Sequence, residues 1–100
     1  MSDEFHQEIF REELPMFRSI CLRVSPTGAV RIDAQDMGKN VEEVWGDSDY
    51  EFWVDVPEAE LQKLLFALLK EKYLGRVGAV DEFQKFCQEN SIGSEWGSWA

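Results

Sequence analysis

Three stretches of the chain alternate apolar and polar residues with a period of two, the pattern of a β-strand with one face in a core. The first two, 17–24 and 30–34, flank a Ser-Pro-Thr-Gly turn sequence and together predict a β-hairpin. The third, 49–56, is the clearest strand, because large apolar residues alternate there with acidic residues and a tryptophan. A turn is predicted at 36–40, and a shorter, weaker strand at 41–45.

The period changes to that of a helix after Pro57, whose missing N–H is tolerated in a first helical turn. Residues 57–74 place five leucines, Phe66 and Tyr73 on one broad apolar face. A second, shorter helix is predicted at 78–89. Strands followed by helices predict an α+β fold. We expect a four-stranded antiparallel β-meander followed by two α-helices packed on one face, a two-layer sandwich.

Residues 1–15 have the least regular pattern in the chain. Phe5, Ile9, Phe10 and Leu14 are spaced to line one face of a short helix. An acidic, flexible N-terminal arm is the alternative. The rest of the chain shows no repeat and no linker, so residues 1–100 are interpreted as a single domain.

The charge is strongly negative and unevenly distributed. Twenty acidic residues against ten Lys and Arg give a net charge of −10, which excludes a basic, phosphate-binding protein and so a nucleic-acid partner. Residues 33–60 contain ten of the acids and one base, Lys39, a net charge of −9. The remaining 72 residues contain ten acids and nine bases, so they are close to neutral.

Residues for common catalytic and metal sites are scarce. The single histidine, His6, stands apart from any nucleophile motif. Cys21 and Cys87 lie in apolar contexts without a metal-binding or redox motif, which predicts two reduced, buried thiols. The acidic stretch 33–38 lacks the oxygen ligands of a calcium loop, at Met37 for example. We expect no enzyme, cofactor or metal site; a carboxylate- or metal-dependent enzyme is the alternative.

Nothing in the sequence predicts a membrane partner. The longest uninterrupted apolar run, 64–69, is far shorter than the roughly 20 residues of a membrane-spanning helix. The first ten residues are acidic and lack the apolar core of a signal peptide. Together with reduced cysteines, these features predict a cytoplasmic location.

The acidic window 33–60 predicts a protein-binding surface. Trp53 lies among carboxylates on the polar side of strand 49–56, and an exposed tryptophan is a typical interface anchor. The expected partner is a basic protein attracted by charge. The predicted contact residues are Glu42, Glu43, Asp47, Asp49, Glu51, Trp53 and Asp55. Two alternatives stay open: the charge only keeps the protein soluble, or Trp53 is covered by Trp96 or Trp99 of the C-terminal tail.

Several features of the second half of the chain occur together: Val41-Glu42-Glu43, the run from Ser48 to Trp53, the leucine-rich helix, and the ending Asn90-Ser91-Ile92 with Ser98-Trp99. In these features the chain resembles small, acidic, uncharacterised bacterial proteins of similar length. The resemblance implies a stand-alone bacterial protein and carries over no catalytic residue. In size and charge the chain is also similar to bacterial immunity proteins, which block toxic enzymes that are often basic. The leading hypothesis is a non-enzymatic inhibitor or interaction module. A homodimer formed through helix 57–74 is the alternative.

Overall fold

The computed structural model describes residues 4–37 and 49–99. The chain divides into two compact units, Met1–Leu64 and Leu65–Ala100. The described part of the first unit contains all the strands, and the second contains most of the helical residues.

Within the described residues, the first unit forms a four-stranded antiparallel sheet. The strands are β1 (Phe5–Glu12), β2 (Phe17–Val24), β3 (Val30–Met37) and β4 (Asp49–Val56), and they lie side by side in the order β1-β2-β3-β4. Each strand therefore pairs with its neighbour in sequence, as in a meander. Two helices follow the sheet, so the predicted α+β class is confirmed.

Strand β1 replaces the short helix or flexible arm predicted at 1–15, and that prediction was wrong. The reason is a β-bulge: the pairing with β2 shifts between Glu8 and Phe10, and Ile9 is the inserted residue. The bulge puts an odd-numbered and an even-numbered residue, Phe5 and Phe10, on the same face of the sheet, because their partners Val24 and Ile20 share that face. The inserted residue hides the period of two in the sequence.

The predicted strands in 17–24, 30–34 and 49–56 are confirmed. Strand β3 is longer than predicted and includes Asp36 and Met37, which had been assigned to a turn at 36–40. The strand predicted at 41–45 lies outside the described residues.

The register gives the sheet one apolar and one polar face. Leu22, Ile32 and Val54 are directly opposite one another on the apolar face, and Ala34 lies opposite Phe52 in the next row. Ala34 is only 6% exposed, whereas Ile32 and Val54 are 47% and 69% exposed, so the apolar face is buried around Ala34 and partly open on β3 and β4.

Helix α1 spans Leu61–Tyr73 and helix α2 spans Ala79–Glu89, close to the predicted ranges. A 3-10 turn, Glu58–Glu60, precedes α1. Gly75, with a φ of +78°, follows α1 in the left-handed conformation that glycine tolerates best. No helix in the described part of the chain is long and apolar enough to cross a membrane.

In the second unit, one ring contact joins the two helices, and an ion pair joins α2 to the segment between them. The ring of Tyr73 packs edge-on against Phe83, with centroids 5.7 Å apart. Arg76 makes two hydrogen bonds to Glu82, at 2.6 and 3.2 Å. Cys87 is 3% exposed, as predicted for a buried thiol.

Both cysteines are free, but Cys21 is only half-buried. Its predicted burial was wrong because Cys21 lies directly opposite Glu8 and Asp33, on the polar face of the sheet.

Candidate functional site

The candidate site lies on the polar face of the sheet, where β3 and β4 are adjacent. Asp55 stands opposite Arg31, Trp53 opposite Asp33, and Glu51 opposite Gln35. Because side chains alternate across a strand, the odd-numbered residues in 31–37 and 51–55 point to this face. The predicted contacts on β4 therefore meet a row of polar residues on β3.

Asp55 is engaged by the arginine across from it. The guanidinium of Arg31 donates from Nε to Oδ1 at 2.6 Å and from Nη2 to Oδ2 at 3.0 Å. These bidentate hydrogen bonds lower the pKa of Asp55 below its ordinary value of 3.8 and raise the pKa of Arg31. Both side chains keep contact with water, with 42% of Arg31 and 52% of Asp55 exposed.

Arg31 also connects Asp55 to Trp53. Its guanidinium carbon lies 4.8 Å from the centre of the Trp53 ring, within the range of a cation–π interaction. Trp53 is 51% exposed. The tryptophan is thus half-exposed, and a charged side chain lies against one face of its ring.

The polar face is less acidic than the composition of β4 predicted. Arg23 donates to Asp33 at 2.6 Å, so a second carboxylate of the face is paired. On β1, Glu8 accepts hydrogen bonds from Arg11 and from Ser19, which lower the pKa of Glu8. Positive and negative side chains are therefore interspersed on this face. Counting charges in 33–60 missed this, because Arg23 and Arg31 precede the window in sequence yet lie beside it in the sheet.

A groove of about 800 Å³ runs over this face. Its polar lining includes Arg23, Arg31, Asp33, Glu51, Trp53 and Asp55. Glu51 is exposed and, among the residues the structure describes, has no ion-pair partner. The groove therefore offers one uncommitted carboxylate beside a half-exposed tryptophan.

The structure brings together three of the seven predicted contact residues: Glu51, Trp53 and Asp55 line the same groove. Asp49 is the first residue of β4. The other three predicted contacts, Glu42, Glu43 and Asp47, lie outside the described residues.

Sequence reasoning missed the two arginines and Asp33. The sequence did contain a signal that places the two arginines next to each other. The turn at 25–28 closes a hairpin in which Arg23 and Arg31 are directly opposite, and the hairpin was itself predicted.

A smaller cavity of about 390 Å³ lies in the second unit, lined in part by Lys72, Tyr73 and Arg76. The Tyr73 hydroxyl is buried without a hydrogen-bond partner in the described structure, and burial raises the pKa of Tyr73. A phenol with a raised pKa stays protonated at neutral pH. No group of three or more His, Cys, Asp or Glu side chains within 4–37 and 49–99 is placed to hold a metal ion.

Comparisons with protein-family models, with curated proteins and with solved structures gave no match. The likeness to bacterial immunity proteins accordingly stays a prediction.

Proposed function

We propose that the protein is a non-enzymatic interaction module that binds a basic protein partner through the groove on the polar face of the sheet. The observation that carries this proposal is Trp53, half exposed and fixed by Arg31 at 4.8 Å. Tryptophan and arginine are the residue types most enriched among the dominant contacts of protein interfaces. An inhibitor of a basic enzyme, similar in charge and size to immunity proteins, is the specific form of this proposal.

The contacts around Trp53 reduce the entropy lost on binding. Arg31 is held at one end by two hydrogen bonds to Asp55 and lies over the Trp53 ring at the other. A side chain that is already ordered loses less freedom when a partner covers it. The ring is therefore presented to a partner in a defined orientation.

Charge supports a basic partner by two routes. The net charge of −10 attracts a cationic protein over long range and speeds encounter. At short range, Glu51 has no ion-pair partner among the described residues and is available for an incoming Lys or Arg. Asp33 and Asp55 contribute less to attraction, because Arg23 and Arg31 already neutralise them.

Selection from a random peptide library on the immobilised full-length protein tests the proposal. We expect the enriched peptides to be rich in Lys and Arg. Their affinity should fall about tenfold or more in Trp53→Ala, the size of a dominant interface contact. Trp99→Ala is the matched control, because it removes a fully exposed tryptophan of the tail. Peptides that bind wild type and Trp53→Ala equally well would refute the role of the groove.

A homodimer through α1 is the second candidate, and the exposure of its apolar side chains favours it. Leu65, Phe66 and Leu68 are 55%, 68% and 55% exposed. Exposed apolar residues at this spacing are typical of a face that binds another helix. Light scattering over a hundredfold range of concentration distinguishes the candidates. The homodimer is supported if the protein is a dimer that Phe66→Glu dissociates and that the polar control Gln62→Glu leaves intact. A monomer at every concentration excludes the homodimer.

A further inference from the structure

The two outer strands of the sheet differ in how open their edges are. Of the strands the structure describes, β1 and β4 each pair with one neighbour only. An edge strand directs every second N–H and C=O group outward, where another extended chain can pair with them. Natural proteins usually interrupt such edges with bulges, prolines or lysines.

Strand β1 carries one of these interruptions and β4 carries none. The bulge at Ile9 breaks the regular course of β1. By contrast, β4 pairs with β3 in one continuous register from Val30↔Val56 to Met37↔Asp49. Its eight residues include no proline and no lysine. The edge of β4 is therefore regular enough to continue the sheet.

The side chains along β4 specify what kind of strand would fit. On the polar face, Glu51 and Asp55 flank Trp53, and all three are exposed. On the apolar face, Phe52 and Val54 are 40% and 69% exposed. Residues directly opposite each other in neighbouring strands interact, so the matching strand alternates basic and apolar side chains.

A second copy of β4 matches poorly. Among the antiparallel registers that keep the apolar faces of two β4 strands on one side, the two that pair the most residues place either Glu51 or Asp49 of each copy opposite Asp55 of the other. Like charges directly opposite each other are destabilising. The acidic residues thus disfavour self-pairing of this edge, whereas a basic strand turns the same positions into favourable contacts.

We propose that the outer edge of β4, which no other described strand pairs with, is a β-augmentation site for an extended segment of a basic protein, with Lys or Arg alternating with apolar residues. Main-chain hydrogen bonds to β4 provide affinity, and Glu51 beside Trp53 selects the partner. The inference rests on the proposed function, because the same strand carries Trp53, and it adds the binding mode and the sequence pattern of the partner.

Hydrogen exchange of the ¹⁵N-labelled full-length protein tests the binding mode. The probe is a capped octapeptide of alternating Lys and Val. We expect it to slow the exchange of every second amide in β4 by about tenfold or more, while amides of β1 keep their rates. Two control peptides are included: one in which Glu replaces Lys, and one in which a central proline breaks the strand. Neither should protect β4.

A charge-swap variant tests the selectivity. Glu51→Lys should lose the protection given by the Lys–Val peptide and gain protection from the Glu–Val peptide. Glu95→Lys, in the exposed tail, changes the net charge equally and should behave as wild type.

The outcomes separate the edge from the groove. A Lys–Val peptide that shifts the Trp53 indole resonance without alternating protection in β4 would overturn the edge site and leave the proposed function standing. Absence of binding at millimolar peptide also overturns the edge site, and the library selection then decides the proposed function independently. Protection of β1 instead of β4 would contradict the difference between the two edges.

Discussion

Two of the cross-strand Arg–Asp pairs of the sheet have nearly the same geometry but different surroundings. Arg18 donates to both carboxylate oxygens of Asp36 at 2.6 Å, between β2 and β3. Arg31 donates to both oxygens of Asp55 at 2.6 and 3.0 Å, between β3 and β4. Asp36 is 5% exposed, whereas half of the Asp55 side chain is open to water.

The difference in burial assigns the two pairs different roles. A buried carboxylate has lost its water and depends on its arginine, so removing Arg18, which is itself 42% exposed, leaves Asp36 uncompensated in the sheet. Arg18 additionally lies 5.6 Å from the centre of the Phe52 ring, which joins the pair to the apolar face. An exposed pair can exchange its partner for water or for another charged group at little cost. The Arg18–Asp36 pair therefore stabilises the sheet, and the Arg31–Asp55 pair is suited to a binding surface.

Replacing each arginine by alanine should give the largest contrast. Arg18→Ala should lower the free energy of unfolding by about 1–3 kcal/mol, because the buried Asp36 loses both hydrogen bonds from the guanidinium. Arg31→Ala should have a clearly smaller effect, because water replaces the lost guanidinium at the half-exposed Asp55. Urea unfolding of the full chain, followed at the amides of β2 and β3, measures both. Arg18→Lys, which keeps a charged donor, should fall between them. Equal losses for Arg18→Ala and Arg31→Ala would contradict the distinction drawn from burial.

Sequence reasoning located β2, β3, β4 and both helices because their apolar periods are regular. It failed at β1, where a single inserted residue, Ile9, shifts the alternation. It also placed Asp36 in a turn, because aspartate is common in turns and only the pairing with Arg18 makes a buried aspartate acceptable in a strand.

The site was predicted from one strand only. Alternation along β4 is a local property, and it placed Glu51, Trp53 and Asp55 on one face. The partnership of Asp55 with Arg31 depends on the register between β3 and β4, which no local pattern specifies. Counting charges along the chain therefore overestimated the acidity of the polar face, because β3 places Arg31 beside the acidic residues of β4.

The acid titration of Asp55 should show a smaller effect of the same pair. Because Arg31 lowers the pKa of Asp55 in the folded state, the pair stabilises the fold at neutral pH, and this contribution is lost as the pH falls through the folded-state pKa, below 3.8. Carboxyl ¹³C resonances report the pKa directly. Arg31→Gln should return it toward 3.8, and high salt should do so in part, because the pair is exposed. If Arg31→Gln leaves the pKa of Asp55 unchanged, the hydrogen bonds from Arg31 are not the cause of the lowered pKa.

Arg31→Lys should have the smallest effect on the fold and the most specific effect on the site. Lysine keeps the positive charge beside Asp55 but lacks the planar fork that makes two parallel hydrogen bonds and lies over Trp53. The free energy of unfolding should change by no more than about 0.5 kcal/mol, as for most surface substitutions. The indole N–H resonance of Trp53 should nevertheless shift, and peptides selected on wild type should bind more weakly, because the ring is no longer held in one orientation. Arg11→Lys on β1 is the matched control, since Arg11 also lies over an aromatic ring, that of Phe17, at 5.0 Å. If both variants weaken peptide binding equally, the orientation of Trp53 by Arg31 is not what prepares the groove.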